Sequence, residues 1–103
     1  MEKTRANLSQ IFREVLGSNH TYFQPPSGKQ IKYPCIIYKL DGIYNDRADD
    51  INYRKNKRWQ VTVIDKNPDS SIYEQLIDRF DHCSLDRTAV SDNLNHWYLT
   101  LFW

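Results

Sequence analysis

Trp59-Gln60-Val61-Thr62-Val63 alternates apolar and polar side chains. A period of two places successive side chains on opposite faces of a strand, one face packed and the other open. Upstream, Cys35-Ile36-Ile37-Tyr38-Lys39-Leu40 has the β-branched and aromatic content of a second strand. Between them Asn45-Asp46-Arg47-Ala48-Asp49-Asp50 has the composition of a polar turn. The return arm is expected from about Ile51 to Asp65, so residues 34–65 read as one long β-hairpin. Its middle carries Arg54, Lys55, Lys57 and Arg58. A charged distal half is expected to project into solvent or against a neighbour.

A helix precedes the hairpin. Leu8, Ile11, Phe12, Val15 and Leu16 recur at helical spacing and form one apolar stripe. Thr4 or Asn7 caps its start and Gly17 ends it, which predicts a helix over about residues 4–17. The following segment holds Pro25, Pro26 and Gly28 and reads as a loop, with a short strand at Tyr22 and Phe23. Downstream of the hairpin, Asn67-Pro68 is a strong helix opening, and Ile72, Tyr73, Leu76, Ile77 and Phe80 supply the apolar face. That predicts a second helix over about residues 68–81.

Two more strands are expected, a weak one from Leu85 to Val90 and a strong one from Asn95 to Trp103. The order α-β-β-β-α-β-β, with strands grouped and helices apart, defines an α+β fold with a mostly antiparallel sheet. Leu8, Phe12, Leu16, Val61, Val63, Ile72, Leu76 and Phe80 are the expected core. The strong strand carries Trp97, Leu99, Leu101 and Trp103 on one face, and Tyr98 and Phe102 with His96 and Thr100 on the other. Two helices cover only one face of a sheet, so the second face is expected to take cover from a neighbouring subunit or from the chain's own loops.

Composition narrows the function. The chain has 103 residues, enough for one domain and a modest core. Fourteen Lys and Arg stand against 13 Asp and Glu, a net charge of +1, which lacks the basic excess of a dedicated nucleic-acid binder. Three Trp, seven Tyr and four Phe are many for this length, and aromatic rings dominate interfaces as well as cores. No apolar run follows Met1, so export through a signal peptide is not expected, and no stretch is long and apolar enough for a membrane span. Cys35 and Cys83 are too few for a disulfide scaffold and read as free thiols of a protein made in the cytoplasm.

Each candidate chemistry has a blander explanation that weighs more. Cys35, His82, Cys83 and His96 lack the spacing of a zinc site and of a Cys-His nucleophilic pair. Asp41, Asp46, Asp49 and Asp50 have the charge that a metal-dependent hydrolase needs, yet Asp also forms turns, and the glycine of a calcium loop is missing. Lys55, Lys57 and Arg58 beside Tyr53 and Trp59 suggest a nucleic-acid patch with stacking rings, against which stands a solvated strand face. Ser27-Gly28-Lys29 lacks the glycine spacing of a phosphate loop. No catalytic, cofactor or metal residue is expected.

Across its whole length the chain resembles the small tail-completion proteins of long-tailed bacteriophages, the family of tail terminators and tail-to-head joining proteins. The residues that carry the resemblance are Tyr33-Pro34-Cys35-Ile36-Ile37-Tyr38 and Arg58-Trp59-Gln60-Val61-Thr62-Val63-Ile64-Asp65. To these are added Pro68-Asp69-Ser70 and Asp92-Asn93-Leu94-Asn95-His96. The resemblance implies a virion structural protein without enzymatic activity or cofactor. It implies a homo-oligomeric ring, usually a hexamer, that caps the tail tube protein and meets a head-side connector protein. Phage DNA would pass through the lumen without sequence-specific contacts. A neck adaptor elsewhere at the head-tail joint and a monomeric binding module are the other non-enzymatic expectations. The interface is expected at the hairpin of residues 34–65 and the terminal strand, the hairpin reaching over the adjacent subunit, with Asp46, Asp49 and Asp50 on one copy facing Arg54, Lys57 and Arg58 on the next. Tyr44, Tyr53 and Trp103 are the expected apolar anchors.

Overall fold

The computed structural model describes residues 4–48 and 52–103, the side chains of residues 43–48 and 52–56 excepted. The fold is α+β. A first helix, α1 (Arg5–Leu16), leads to a short strand β1 (Thr21–Phe23), then to β2 (Cys35–Ala48) and β3 (Asn52–Asp65). Helix α2 (Ile72–Arg79) precedes β4 (Cys83–Ser91) and β5 (Leu94–Phe102). One five-stranded sheet runs in the order β1-β2-β3-β5-β4, antiparallel except where β1 pairs parallel with β2.

The first helix begins and ends where its local chemistry dictates. Thr4 is the N-cap, and its hydroxyl accepts the Asn7 N–H at 3.2 Å. Gly17 turns left-handed at φ 77° and donates its N–H to the Arg13 carbonyl at 2.8 Å, closing the last turn. The second helix starts four residues later than the Asn67-Pro68 signal suggested. The Asn67 carboxamide oxygen accepts the Asp69 N–H at 3.0 Å, and its carbonyl accepts the Ser70 N–H at 3.2 Å. Asn67 thus caps a turn, not a helix, because its side chain offers the backbone a local alternative.

Both helices lie on one face of the sheet. Leu8, Ile11, Phe12, Leu76 and Phe80 meet Ile36, Tyr38, Trp59, Val61, Val63, Trp97, Leu99 and Leu101 in a single core, with Leu16 and Ile72 partly buried at its margin. Phe12 packs edge-on against Tyr38 and Phe80, with ring centroids 5.0 and 6.0 Å apart. Tyr73 stacks flat on Trp97 at 5.5 Å. The Ser9 and Tyr38 hydroxyls are hydrogen-bonded to each other, which ties α1 to β2 at its polar edge.

The strands are longer than their sequence signals. Strand β2 continues through Asn45 to Ala48, residues expected to turn, because each pairs with a residue of β3 down to Ala48 opposite Asn52. Asp49, Asp50 and Ile51 lie outside the described residues. Strand β4 extends from Cys83 to Ser91, beyond the expected Leu85–Val90, and β5 begins at Leu94.

Beyond the five-stranded region the hairpin has no further strand beside it among the described residues. Strand β1 pairs with β2 at residues 36–38 only, and the β5 ladder on β3 runs from Asp65 to Arg58. From Tyr44 and Asn56 outward, β2 and β3 pair with each other alone among the described residues. At about 3.4 Å per residue this arm reaches about 17 Å past the sheet. The molecule is accordingly elongated, with extents of 50 × 24 × 23 Å. Its radius of gyration is 14.6 Å, where a compact chain of this length has about 13 Å.

Candidate functional site

Two surfaces stand out, the base of the arm and the sheet face opposite the helices. At the arm's base β2 carries one extra residue, Asp41, between the pairs Leu40–Trp59 and Gly42–Arg58. Such a bulge bends the strand and increases its twist. The Arg58 Nε donates to the Asp41 carboxylate at 3.0 Å, and Nη2 donates to the Asp41 carbonyl at 3.3 Å. Gly42 leaves room for this, since a Cβ there would stand 3.1 Å from Arg58 Nη2. Asp41 and Arg58 therefore satisfy each other within one chain.

The second sheet face is shallow and polar. Ile37 and Lys39 of β2, Gln60 and Thr62 of β3, Tyr98 of β5 and Arg87 of β4 line a groove of about 760 Å³. Gln24 and Pro25 form its rim. The Arg87 guanidinium lies 4.4 Å from the Tyr98 ring centre, a cation–π contact that fixes it over the face. Asp86, the extra residue in β4, accepts the Thr100 hydroxyl at 2.5 Å on the same face. On β5, Trp97, Leu99 and Leu101 are buried under the helices, whereas His96, Tyr98, Thr100 and Phe102 remain half-buried. The alternation expected of this strand is present, and among the described residues its second face is covered only in part, by Arg87 and Asp86 of β4. The sequence alone does not mark this groove, because its floor is drawn from four strands. The polar positions of β3, read together with Lys39, were the available signal.

The candidate chemistries separate in space. Cys35 and His96 lie on β2 and β5, with Ile64 of β3 between them, about 10 Å apart at the usual strand spacing. Cys83 lies opposite Leu101 at the other end of the sheet, with His82 preceding it. Among the described residues no three His, Cys, Asp or Glu side chains are grouped to hold a metal ion. Burial pushes the Cys35 thiol up to about 12. Burial, with Asp86 nearby, pushes Cys83 up to about 11. Both sulfurs are protonated at neutral pH, the unreactive form for a nucleophile or ligand.

The stacking patch also changes. Lys57 and Arg58 are exposed, but Trp59 is only 3% exposed and packs between Phe23 and Tyr38, so it offers no ring to a base. Lys29 Nζ lies over the Tyr22 ring at 5.8 Å, and the Lys29 N–H donates to the Pro26 carbonyl, which makes this loop a turn. Trp103, expected as an interface anchor, packs edge-on against Phe80 at 6.5 Å. The side chains of Tyr44, Asp46, Tyr53 and Arg54, and all of Asp49 and Asp50, lie outside what the structure describes. No helix of the described residues is long and apolar enough to cross a membrane. No family model matches the chain, and no curated protein matches it in sequence.

Proposed function

We propose that this chain is a structural protein of a long-tailed bacteriophage virion, without catalytic activity. In this reading it assembles into a ring, a hexamer, that caps the finished tail tube and joins it to the head-side connector. The observation that carries the reading is the β2–β3 arm, which leaves the sheet at Tyr44 and Asn56 in a molecule 50 Å long. A two-stranded ribbon has little stability alone and gains it from a third strand or a packing surface. A second copy supplies both. The half-buried face of β5 and the polar groove beside it support the same reading, as surfaces suited to docking.

The ring encloses a lumen through which DNA passes. A net charge of +1 neither grips the backbone strongly nor repels it, as transit without sequence-specific contacts requires. The experiment is to add the purified chain to phage tails assembled without a terminator and to image both by negative stain. Ring-shaped particles, and tails of uniform length that join heads, are the expected result. Tails that stay uncapped and fail to join heads in the presence of the folded chain refute the reading.

A further inference from the structure

The two open edges of the sheet match each other. Strand β4 is an outer strand of nine residues, Cys83–Ser91. At the opposite side, β2 is covered by β1 only at residues 36–38, so among the described residues its outer edge is open along the arm. Strand directions alternate from β2 through β3 and β5 to β4, so β2 and β4 run in opposite senses. Where the sheet of a second copy continues in the same sense, its β2 falls antiparallel beside this β4.

The backbone bonds fix which groups are available. Trp103 and Lys57 exchange N–H to carbonyl bonds of 2.9 and 3.3 Å, and the Phe102 N–H donates to His82 at 2.9 Å. Successive residues of a strand point their backbone groups to opposite sides. Odd-numbered residues of β5 therefore face β3, and even-numbered ones face β4. With Cys83 opposite Leu101, Leu85 opposite Leu99, Thr88 opposite Trp97 and Val90 opposite Asn95, those four β4 residues direct N–H and C=O outward. The same alternation runs through β3 into the arm. Gly42, opposite Arg58, faces inward, so Ile43, Asn45 and Arg47 direct their backbone groups outward.

We infer that the β4 edge of one copy pairs antiparallel with the arm edge of β2 of a second copy, adding the arm as a sixth strand. This rests on the self-assembly in the reading above and names the surfaces that carry it. An open edge of this length is a template for another strand. Two large apolar side chains on β4 are also left uncovered, Leu85 at 38% and Val90 at 73% exposed. Self-pairing of two β4 edges would leave both arms as two-stranded ribbons, whereas arm-to-β4 pairing supports the arm and closes the edge at once. The contact is head-to-tail and propagates until it closes. Leu40, Trp59, Leu101 and Cys83 share one level of the sheet, and the arm leaves that level in one direction while β4 leaves it in the other. Neighbouring sheets are therefore staggered, so strands in a closed ring tilt against its axis, as in a barrel with shear.

The test uses proline at residues whose N–H points outward, which removes no bond of the chain's own sheet. Wild type, Thr88→Pro and Asn45→Pro are compared by light scattering and circular dichroism. Each variant is expected to stay folded and monomeric where wild type assembles, and an equimolar mixture to form a two-chain species through its one intact interface. Assembly of Thr88→Pro like wild type overturns the pairing. So does assembly of Asn45→Pro alone, which would indicate β4 against β4, and so does a wild-type chain that remains monomeric. Should a variant not fold, amide exchange decides on the unaltered chain, where Thr88 and Val90 are expected to slow by about tenfold or more on association. Equal exchange in assembled and dilute protein overturns the pairing. Wild-type chain that caps tails with these amides still open refutes the pairing alone. Edge pairing without capping refutes the tail role alone.

Discussion

Trp103 and Lys57 form a reciprocal backbone rung, the Trp103 N–H donating to the Lys57 carbonyl at 2.9 Å and the Trp103 carbonyl accepting the Lys57 N–H at 3.3 Å. This rung lies where β3 parts from β5 and the arm begins. The same residue packs its indole on Phe80, so the arm's root is joined to the C-terminal end of α2 through one side chain. Trp103→Ala keeps the backbone rung and loses the ring contact. The indole is half-buried, so the expected loss is about 1–3 kcal/mol, below the range for a fully buried Trp. A urea titration measures it.

Leu76 is 1% exposed and sits where α2 meets the core. Leu76→Ala is expected to cost about 2–5 kcal/mol, since the rigid neighbours close a cavity only in part. Leu16→Ala, at the core margin, is expected to cost less. Chemical denaturation of both variants tests the ranking. A loss under about 0.5 kcal/mol at Leu76 would contradict the packing of α2.

The elements were legible in proportion to how local their causes are. The stripe from Leu8 to Leu16 and the Thr4 and Gly17 caps are local, and α1 lies within one residue of the expected bounds. Val61 and Val63 alternate with Gln60 and Thr62, and β3 buries the former pair under the helices. The sequence signal places the start of α2 too early, because Asn67 serves a turn as well as it serves a helix. Asn45 and Asp46 disfavour strands, yet they lie in β2 because a partner strand runs alongside them. The groove was not legible, since Lys39, Gln60, Arg87 and Tyr98 converge only once the register of four strands is known. The bulge at Asp86 also shifts the face on which Arg87 lies, and no local signal marks it.

The two thiols give a pH prediction. Both have folded-state values above the ordinary 9.0, Cys35 at about 12 and Cys83 at about 11. Below pH 9 folded and unfolded chains both hold these protons, and the thiols contribute no pH dependence. Above it the unfolded chain releases them first, so their contribution to stability falls as pH rises from about 9 toward 12. Cys35→Ala with Cys83→Ala is expected to flatten this alkaline decline. In native protein at pH 8 an aromatic disulfide reagent should label both sulfurs slowly, and denaturant should release the full count at once.

Asp41 and Arg58 are paired at 3.0 Å, but their side chains are 44% and 46% exposed. Solvent screens such a pair, so Asp41→Asn is expected to change stability by less than about 1 kcal/mol. Its effect should fall instead on the direction of the arm, since the same arginine also holds the Asp41 carbonyl at the bulge. Spin labels at Lys39 and Lys57 would read that change as a broadened distance distribution, with an unchanged melting temperature. A loss of several kcal/mol would mean that the bulge is structural in the sheet itself.

The charges of the hairpin provide the last prediction. Asp49 and Asp50 stand between the two strands in sequence, and Arg54 and Lys57 follow in β3. In a head-to-tail ring an acidic tip meeting a basic arm repeats at every contact and fixes register more than affinity. Asp49→Lys with Asp50→Lys is therefore expected to weaken rings and lower the yield of completed tails, with the steepest loss at low salt, where like charges are least screened. The compensating change must avoid Arg58, whose guanidinium is held by Asp41 of its own chain. Arg54→Glu with Lys57→Glu leaves that pair intact. In the same chain as the lysine tip, it is expected to restore assembly in part, because every contact regains one acidic and one basic side. Light scattering across a salt series, with tail completion as the biological readout, checks both steps. Normal tail yield from the lysine-tip variant would show that the tip charges take no part in the contact. Restoration by the glutamates without prior loss would show that the arm is read by its backbone alone.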